Sequence, residues 1–154
     1  MELKKKYEKV VYKRRLSMPE ATAMKWLNGE ADCNIDSQIA REIDYFLQYY
    51  QGLHPVLFLS YEREAYYCRA GSDFRITFDE NVSCREADMT FQKDNWGIPV
   101  LEEDKVLMEL KCSGGIPLWM VEILSKEKIY KTSFSKYGTA YQRIIYPKMK
   151  GEQR

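Results

Sequence analysis

The stretch that decides the fold reads FRITFDENV and occupies residues 74–82. Apolar and polar side chains alternate along it, and side chains two positions apart point to the same side of a β-strand. The two phenylalanines and the isoleucine therefore share one face, while Arg75, Thr77 and Asp79 share the other. The sequence predicts a strand with one apolar face and one charged face.

The same alternation continues in two neighbouring segments, residues 56–67 and 105–112, which we also predict as strands. In residues 105–112, Glu109 and Lys111 share one face, and the other face carries only apolar side chains and a cysteine. In residues 56–67, Tyr61, Arg63 and Ala65 lie together on one face. The strands therefore predict that charged side chains collect on one side of the sheet.

Residues 2–16 mix lysines with valines and tyrosines and show no helical apolar stripe, so we predict a hairpin that turns near Glu8–Lys9. Strand alternation again groups the side chains by face. The two predicted same-face sets are Glu2, Lys4 and Lys6 in the first strand, and Val11, Lys13 and Arg15 in the second.

Four segments are predicted as helices. Ser17 and Glu20 have the spacing of a capping box, and Asp36 or Ser37 is expected to cap a second, strongly amphipathic helix. Residues 117–124 and 135–145 are predicted as the later helices. We expect residues 86–103 to be irregular. The predicted fold class is α+β, with antiparallel strands and helices packed outside.

The charged strand faces leave two architectures open. The first is a sheet whose polar face lies in water. The second is a barrel whose apolar face meets the outer helices and whose polar face lines a lumen. Basic side chains that converge on a lumen repel one another unless an anion lies between them. One or two acidic side chains there would hold a divalent cation that bridges phosphate oxygens.

Positive charge is concentrated at the two ends of the chain, although the net charge is +1. Residues 2–15 contain seven basic and two acidic residues, and residues 126–154 contain eight and two. The asymmetry indicates an anionic ligand if the ends meet in space, and solvated basic faces if they do not.

Several functional classes find no support in the sequence. There is no run of eighteen apolar residues and no apolar core of a signal peptide, so we expect a cytoplasmic protein. The four cysteines form no CxxC pair and the chain has one histidine, His54, which argues against a zinc site and a Ser-His-Asp triad. The phosphate-loop, dinucleotide-binding, nucleophile-elbow and zinc-protease motifs are absent from the sequence.

Several motifs, in this order and spacing, resemble the polyphosphate polymerase domain of the vacuolar transporter chaperone (VTC) family. The resemblance covers about Glu2 to Tyr146. Its motifs are EIDYF at 42–46, YEREAY at 61–66, FRITFD at 74–79, VLMELK at 106–111, PLW at 117–119 and SFSKY at 133–137.

The resemblance implies a tunnel-shaped antiparallel barrel of the triphosphate tunnel class, with ATP as phosphate donor, Mn²⁺ or Mg²⁺ as cofactor and polyphosphate as product. It implies a metal ligand at Glu109. The cations that it implies for catalysis are Lys13, Arg15, Arg63, Arg75 and Lys136. The substrate contacts that it implies are Lys4, paired with Glu2 on the first strand, and Tyr61, Lys111 and Ser135.

Family members carry further barrel strands before the first matched motif. We therefore expect residues 1–146 to be the C-terminal two-thirds of such a domain, followed by a basic tail at 147–154. The isolated chain is then expected to be weak or inactive as an enzyme, and open sheet edges would allow a homo-oligomer to form.

Three functions remain open at this point. The first is a polymerase, or a triphosphate hydrolase of the same tunnel class, and the second is a non-catalytic module that binds polyphosphate or nucleotide. The third is a nucleic-acid binder that stacks bases on tyrosines near the basic ends. The resemblance favours ATP and polyphosphate as partners, with no specific nucleic acid and no membrane. The tyrosines in question are Tyr7, Tyr12, Tyr130 and Tyr137.

Overall fold

The computed structural model describes residues 1–8, 10–69 and 71–151. The strands are β1 (Glu2–Tyr7), β2 (Val10–Arg15), β3 (Phe58–Tyr67), β4 (Arg75–Arg85), β5 (Ile98–Pro99) and β6 (Leu107–Lys111). The helices are α1 (Glu20–Leu27), α2 (Gln38–Tyr49), α3 (Leu118–Lys126), α4 (Lys136–Ala140), a π-helical segment at Tyr141–Ile145, and α5 (Tyr146–Gly151).

The chain divides into two compact units. The first comprises Met1–Val56 and Thr90–Gln92, and the second comprises Leu57–Met89 and Lys93–Arg154. Each unit has its own hydrophobic core and is described by itself.

The first unit begins with the predicted hairpin, in which β1 and β2 pair antiparallel. Glu8 adopts a positive φ of 45° at the turn, and Lys9 lies outside the described residues. The two predicted same-face sets are confirmed, and the register joins them into one face. Its cross-strand pairs are Glu2 with Arg15, Lys4 with Lys13, and Lys6 with Val11.

The two helices of the first unit begin differently. Helix α1 follows Pro19 without a side-chain cap, so the predicted capping box is wrong: proline at the N-cap fixes an extended backbone there instead. Helix α2 begins as predicted, because the hydroxyl of Ser37 accepts a 3.1 Å hydrogen bond from the backbone N–H of Ala40. Asp36, the other candidate cap, pairs with Arg41.

The core of the first unit joins the hairpin to both helices. Leu3, the inward-facing apolar residue of β1, packs with Trp26 of α1 and with Ala40 and Ile43 of α2. The indole N–H of Trp26 donates a 2.6 Å hydrogen bond to Asp44, so its polar atom is satisfied. Burial of this apolar face therefore fixes the hairpin against the helices.

The second unit contains a four-stranded antiparallel sheet with β4 as its central strand. Strand β3 pairs along one side of β4, while β5 and β6 pair along two successive stretches of the other side. The predicted strands are confirmed with altered ends: β4 continues to Arg85, and β6 is shorter than the predicted 105–112 segment. The described strands do not close into a barrel.

A bulge in β4 controls which side chains share a face. Glu62 pairs with Glu80 and Ser60 with Ser83, so two residues of β4, Asn81 and Val82, lie opposite the single residue between Ser60 and Glu62 on β3. Asn81 has a positive φ of 49°, a conformation that asparagine tolerates better than most residues. The extra residue keeps Val82 on the same side of the sheet as the charged residues that precede it.

That side of the sheet is covered at one end by the C-terminal helices. Val82 and Cys84 pack with Val100 and with Ala140 and Ile144 of the last helical segment. The predicted helix at 135–145 is confirmed and continues through α5 to residue 151. The described part of the predicted basic tail is therefore helical, and residues 152–154 lie outside the described residues.

Helix α3 packs near the opposite, apolar side, where Trp119 contacts Phe74 edge to face at 5.6 Å. The predicted α+β class, with antiparallel sheets and accompanying helices, is confirmed. Among the helices of the described ranges, none has the length and apolar character needed to cross a membrane.

The segment predicted as irregular, residues 86–103, is held by a buried arginine. Arg85 is 3% exposed and donates hydrogen bonds to the carbonyls of Ala87, Asp88, Asp94 and Trp96. One buried guanidinium therefore satisfies several backbone carbonyls of a segment that has little regular structure. The short strand β5 follows this loop.

Candidate anion-binding site

The charged side of the second unit's sheet is built from three cross-strand rows. The rows are Arg63–Asp79–Leu107, Ala65–Thr77–Glu109 and Tyr67–Arg75–Lys111. We call these nine residues the polar face. Side chains directly opposite one another in an antiparallel sheet lie close together, so the register alone brings predicted site residues from three strands into one patch.

Asp79 lies on the central strand, in an outer row of this face, and is fully buried. Its Oδ1 accepts a 2.5 Å hydrogen bond from Nε of Arg63, and its Oδ2 accepts a 2.7 Å bond from Nη2 of the same side chain. Lys136, the first residue of α4, donates to Oδ2 at 2.5 Å. One carboxylate therefore holds two of the predicted phosphate-binding cations.

Tyr61 lies against both of these cations. The guanidinium carbon of Arg63 is 4.9 Å from the centre of its ring, and the ammonium of Lys136 is 4.5 Å from it. These distances are within the range of cation–π attraction. The aromatic ring and the carboxylate together limit the positions that the two long side chains can adopt.

The ionisation of Asp79 reflects opposing effects. Burial raises the pKa of its carboxyl, but the hydrogen bonds from Arg63 and Lys136 outweigh burial, and the pKa is lowered overall. The hydrogen bond to Asp79 in turn raises the pKa of Arg63. Asp79 and Arg63 are therefore both charged near neutral pH.

Arg75 and Thr77 carry polar atoms that have no hydrogen-bond partner within residues 1–8, 10–69 and 71–151: Nε of Arg75 and Oγ1 of Thr77. Thr77 is 4% exposed, and the guanidinium of Arg75 lies 5.7 Å from the ring centre of Tyr67. Buried donors without partners are costly in a folded protein. This part of the face has hydrogen-bonding capacity that the described protein atoms do not use.

Glu109, the expected metal ligand, lies 3.0 Å from the ammonium of Lys111, and both side chains are half exposed. Asp79 is unsuited to a metal because both of its oxygens are taken. Over the described ranges, no group of three His, Cys, Asp or Glu side chains could hold a metal by itself. Glu109 fits a cation that takes one protein carboxylate and completes its shell with phosphate oxygens and water, as Mg²⁺ commonly does.

Ser135 is placed directly beside Lys136 by the start of α4. Its hydroxyl accepts a 3.1 Å hydrogen bond from the backbone N–H of Gly138. The serine thus caps the last helical segment, and its own hydroxyl hydrogen remains available to a ligand. A Cβ at Gly138 would lie 3.2 Å from this hydroxyl, so the glycine leaves room for the cap.

The remaining predicted residues belong to the first unit, where Lys4, Lys13 and Arg15 share the face of the hairpin with Glu2. Nε of Arg15 donates to Glu2 at 2.5 Å, and Lys13 lies 3.8 Å from the same carboxylate. The hydrogen bond from Arg15 lowers the pKa of Glu2. Glu2 and the expected partner Lys4 share this face, but the ion pairs of Glu2 are with Lys13 and Arg15. The convergence of these residues with the second unit stays a prediction.

A cavity of about 290 Å³ lies beside the β4 bulge, but its chemistry differs from that of the polar face. Three carboxylates line it, those of Glu62, Glu102 and Glu103, together with Trp96 and Asn81. Carboxylates repel phosphate, so the polar face, and not this cavity, is the better candidate for an anion.

Sequence reasoning placed Asp79 on the correct face but gave it no role. Its partners lie 16 and 57 positions away in the chain, and no spacing rule connects them. One signal was present in the sequence: Asp79 is the only acidic residue among the polar-face positions of FRITFD, residues 74–79. An acidic residue on the same strand face as predicted phosphate-binding cations indicates an ion pair with one of them.

Comparison with known protein families identifies the VTC domain. The sequence model of that family matches residues 1–145, nearly the whole chain. No curated protein matches.

Proposed function

Because the chain belongs to the VTC domain family, which is related to polyphosphate polymerases, we propose that its polar face binds the phosphate chain of ATP or polyphosphate. The reaction proposed for this face is transfer of the γ-phosphate of ATP to a growing polyphosphate chain. One observation carries the proposal: Arg63 and Lys136 meet at the buried carboxylate of Asp79 on the face that also carries Arg75.

The charge balance of this face suits a polyanion. Three cations, Arg63, Arg75 and Lys136, accompany the single carboxylate of Asp79, and the pair formed by Glu109 and Lys111 is neutral. The face therefore keeps a positive excess. Arginine and lysine bind phosphate oxygens through charge-assisted hydrogen bonds, which are roughly twice as strong as neutral ones.

Arg63 and Lys136 keep hydrogen-bond donors that Asp79 does not use. Asp79 takes Nε and Nη2 of Arg63, so Nη1 stays for a phosphate oxygen, and Lys136 has two further ammonium hydrogens. The side chains of Arg63 and Lys136 are 35% and 20% exposed, so these donors can be reached from solvent.

Phosphoryl transfer depends on positioning and charge neutralisation more than on covalent catalysis. A divalent cation, Mn²⁺ or Mg²⁺, would neutralise and orient phosphate oxygens when bound. Glu109 is the residue of this chain that would hold it, and releasing its ion pair would free Lys111 to contact phosphate. Tyr61 and Asp79 would keep Arg63 and Lys136 in place around the transferred group.

A second candidate is a module that binds polyphosphate without turnover. The ion pair between Glu109 and Lys111 favours it, because a carboxylate neutralised by lysine is a weaker ligand for a cation. A hydrolase of the same tunnel class would use the same cations and differ in the acceptor, which would be water.

One assay separates these functions. The purified chain is incubated with ATP, with and without Mn²⁺, while ADP, free phosphate and polyphosphate are measured; binding of inorganic tripolyphosphate is measured in parallel. Metal-dependent ADP with polyphosphate supports the polymerase, and ADP with free phosphate indicates hydrolysis. Binding without turnover indicates the module. A chain that neither binds tripolyphosphate nor consumes ATP would contradict the proposal.

A further inference from the structure

We infer that Asp79 is a positioning residue: it sets the geometry of Arg63 and Lys136 for phosphate and does not touch the phosphate itself. The inference rests on the proposed function, because it assigns a role within that site. It adds a residue to which neither the sequence motifs nor the family match gives a role.

Asp79 cannot act as a direct ligand in this arrangement. The residue is 0% exposed, and its two carboxylate oxygens receive three hydrogen bonds from the two cations. A carboxylate would also repel a phosphate. Its effect on a bound anion must therefore pass through the side chains that it holds.

Those side chains need a fixed partner because both are long, flexible and positively charged. Arg63 and Lys136 lie around the same tyrosine ring and repel each other across it. Ordering such side chains costs conformational entropy. Two parallel hydrogen bonds to Asp79 fix the plane of the guanidinium before a ligand arrives.

The same carboxylate also joins separate parts of the second unit. Arg63 lies on β3, Asp79 on β4, and Lys136 opens α4. The contact with Lys136 therefore determines where Ser135, the neighbouring predicted phosphate contact, lies relative to the sheet. Without Asp79, neither Lys136 nor Ser135 would be held in its position relative to the sheet.

Charge and positioning predict opposite results for the same substitution. Asp79→Asn keeps the side-chain shape and removes one negative charge from the site. If net charge alone set affinity, binding of an anion would tighten. If Asp79 positions the cations, binding would weaken although the site has become more positive. The sign of the change therefore separates the two explanations.

The test measures binding of inorganic tripolyphosphate to the full chain by calorimetry at fixed ionic strength. We expect Asp79→Asn to weaken binding about tenfold, the size of a lost charge-assisted hydrogen bond. The matched control is Glu80→Gln, which removes one carboxylate from the next position on β4, an exposed residue on the opposite face. The control is expected to bind as the wild type does or slightly more tightly.

Asp79→Glu provides a second variant in case the asparagine variant does not fold. It keeps the net charge and moves the carboxylate by one methylene, so charge predicts no change and positioning predicts weaker binding. Far-UV circular dichroism and the thermal midpoint show which variants are folded. Whichever of the two variants folds decides the question.

A mutant cycle excludes a purely structural role. In an Arg63→Gln, Lys136→Gln background, the side chains through which Asp79 acts are gone, so Asp79→Asn should change binding less than about twofold. An equal loss in both backgrounds would overturn the inference, as would wild-type affinity in folded Asp79 variants. If the wild type itself binds no tripolyphosphate, the proposed function fails and the inference falls with it.

Discussion

The ammonium of Lys136 lies 2.5 Å from Oδ2 of Asp79, although 57 positions separate the two residues in the chain. The contact attaches the start of the last helical segment to the centre of the sheet. The same carboxylate receives the bidentate pair from Arg63. The groups proposed to bind phosphate are therefore also groups that hold the second unit together, and substitutions there are expected to affect both properties.

Substitution of either arginine tests the site most directly. We predict that Arg63→Ala and Arg75→Ala each weaken tripolyphosphate binding by about 1–3 kcal/mol, the range for a lost charge-assisted contact. Arg63→Ala should also lower the thermal midpoint, because it leaves Asp79 with Lys136 alone, whereas Arg75 makes no such ion pair within the described ranges. Calorimetry and thermal unfolding measure the two effects. Arg41→Ala, at an exposed position of α2, is the control, and unchanged binding in both site variants would contradict the proposal.

Glu109 is expected to bind the metal ion and to contribute little to the stability of the fold. Its side chain is half exposed and contacts Lys111, so Glu109→Gln should leave the thermal midpoint nearly unchanged. The same substitution should abolish the Mn²⁺-dependent turnover proposed for this site, because a hard cation requires the charge that glutamine lacks. Turnover is compared with that of Glu122→Gln, which changes an exposed residue of α3. Full activity in Glu109→Gln would mean that another group holds the metal.

Acid should destabilise the second unit through Asp79. The folded-state pKa of this carboxyl lies below the ordinary value of 3.8, so its stabilising contribution is fully present above that value. The contribution is lost as the pH falls below 3.8 and through the lowered pKa. Chemical denaturation at several pH values should therefore show a decline in the wild type that is reduced in Asp79→Asn. Parallel pH profiles for the two proteins would show that Asp79 does not carry this dependence.

Arg85 is expected to contribute to the stability of the fold and not to phosphate binding. Arg85→Lys keeps the charge but loses the planar fork that reaches several carbonyls of the loop, and we predict a loss of about 2–3 kcal/mol. Denaturant unfolding measures this loss, with Arg69→Lys at an exposed position as the control. Tripolyphosphate affinity should stay at the wild-type level while the variant is folded. A variant as stable as the wild type would show that the loop does not depend on the guanidinium.

Sequence reasoning succeeded where the structure depends on local periodicity. The alternation around Arg75 and Thr77 predicted the polar face, because the side-chain period of two is a property of every strand. The hydroxyl cap of α2 by Ser37 was predicted for the same reason, since cap and helix are adjacent in the chain. The predicted capping box at Ser17 is wrong because Pro19 occupies the N-cap position of α1, and proline has no side-chain group that could cap the helix.

The sequence by itself therefore determined the strands, their two faces and the residue types available to an anion. Only the tertiary structure decided which of these residues meet. The cross-strand register placed Arg63 opposite Asp79, the bulge at Asn81 kept the following apolar residues on that side, and packing of the last helix against them brought Lys136 to the carboxylate. The physical reason is that strand periodicity acts between neighbours in the chain, whereas an ion pair depends on distance in space, and the fold alone sets that distance.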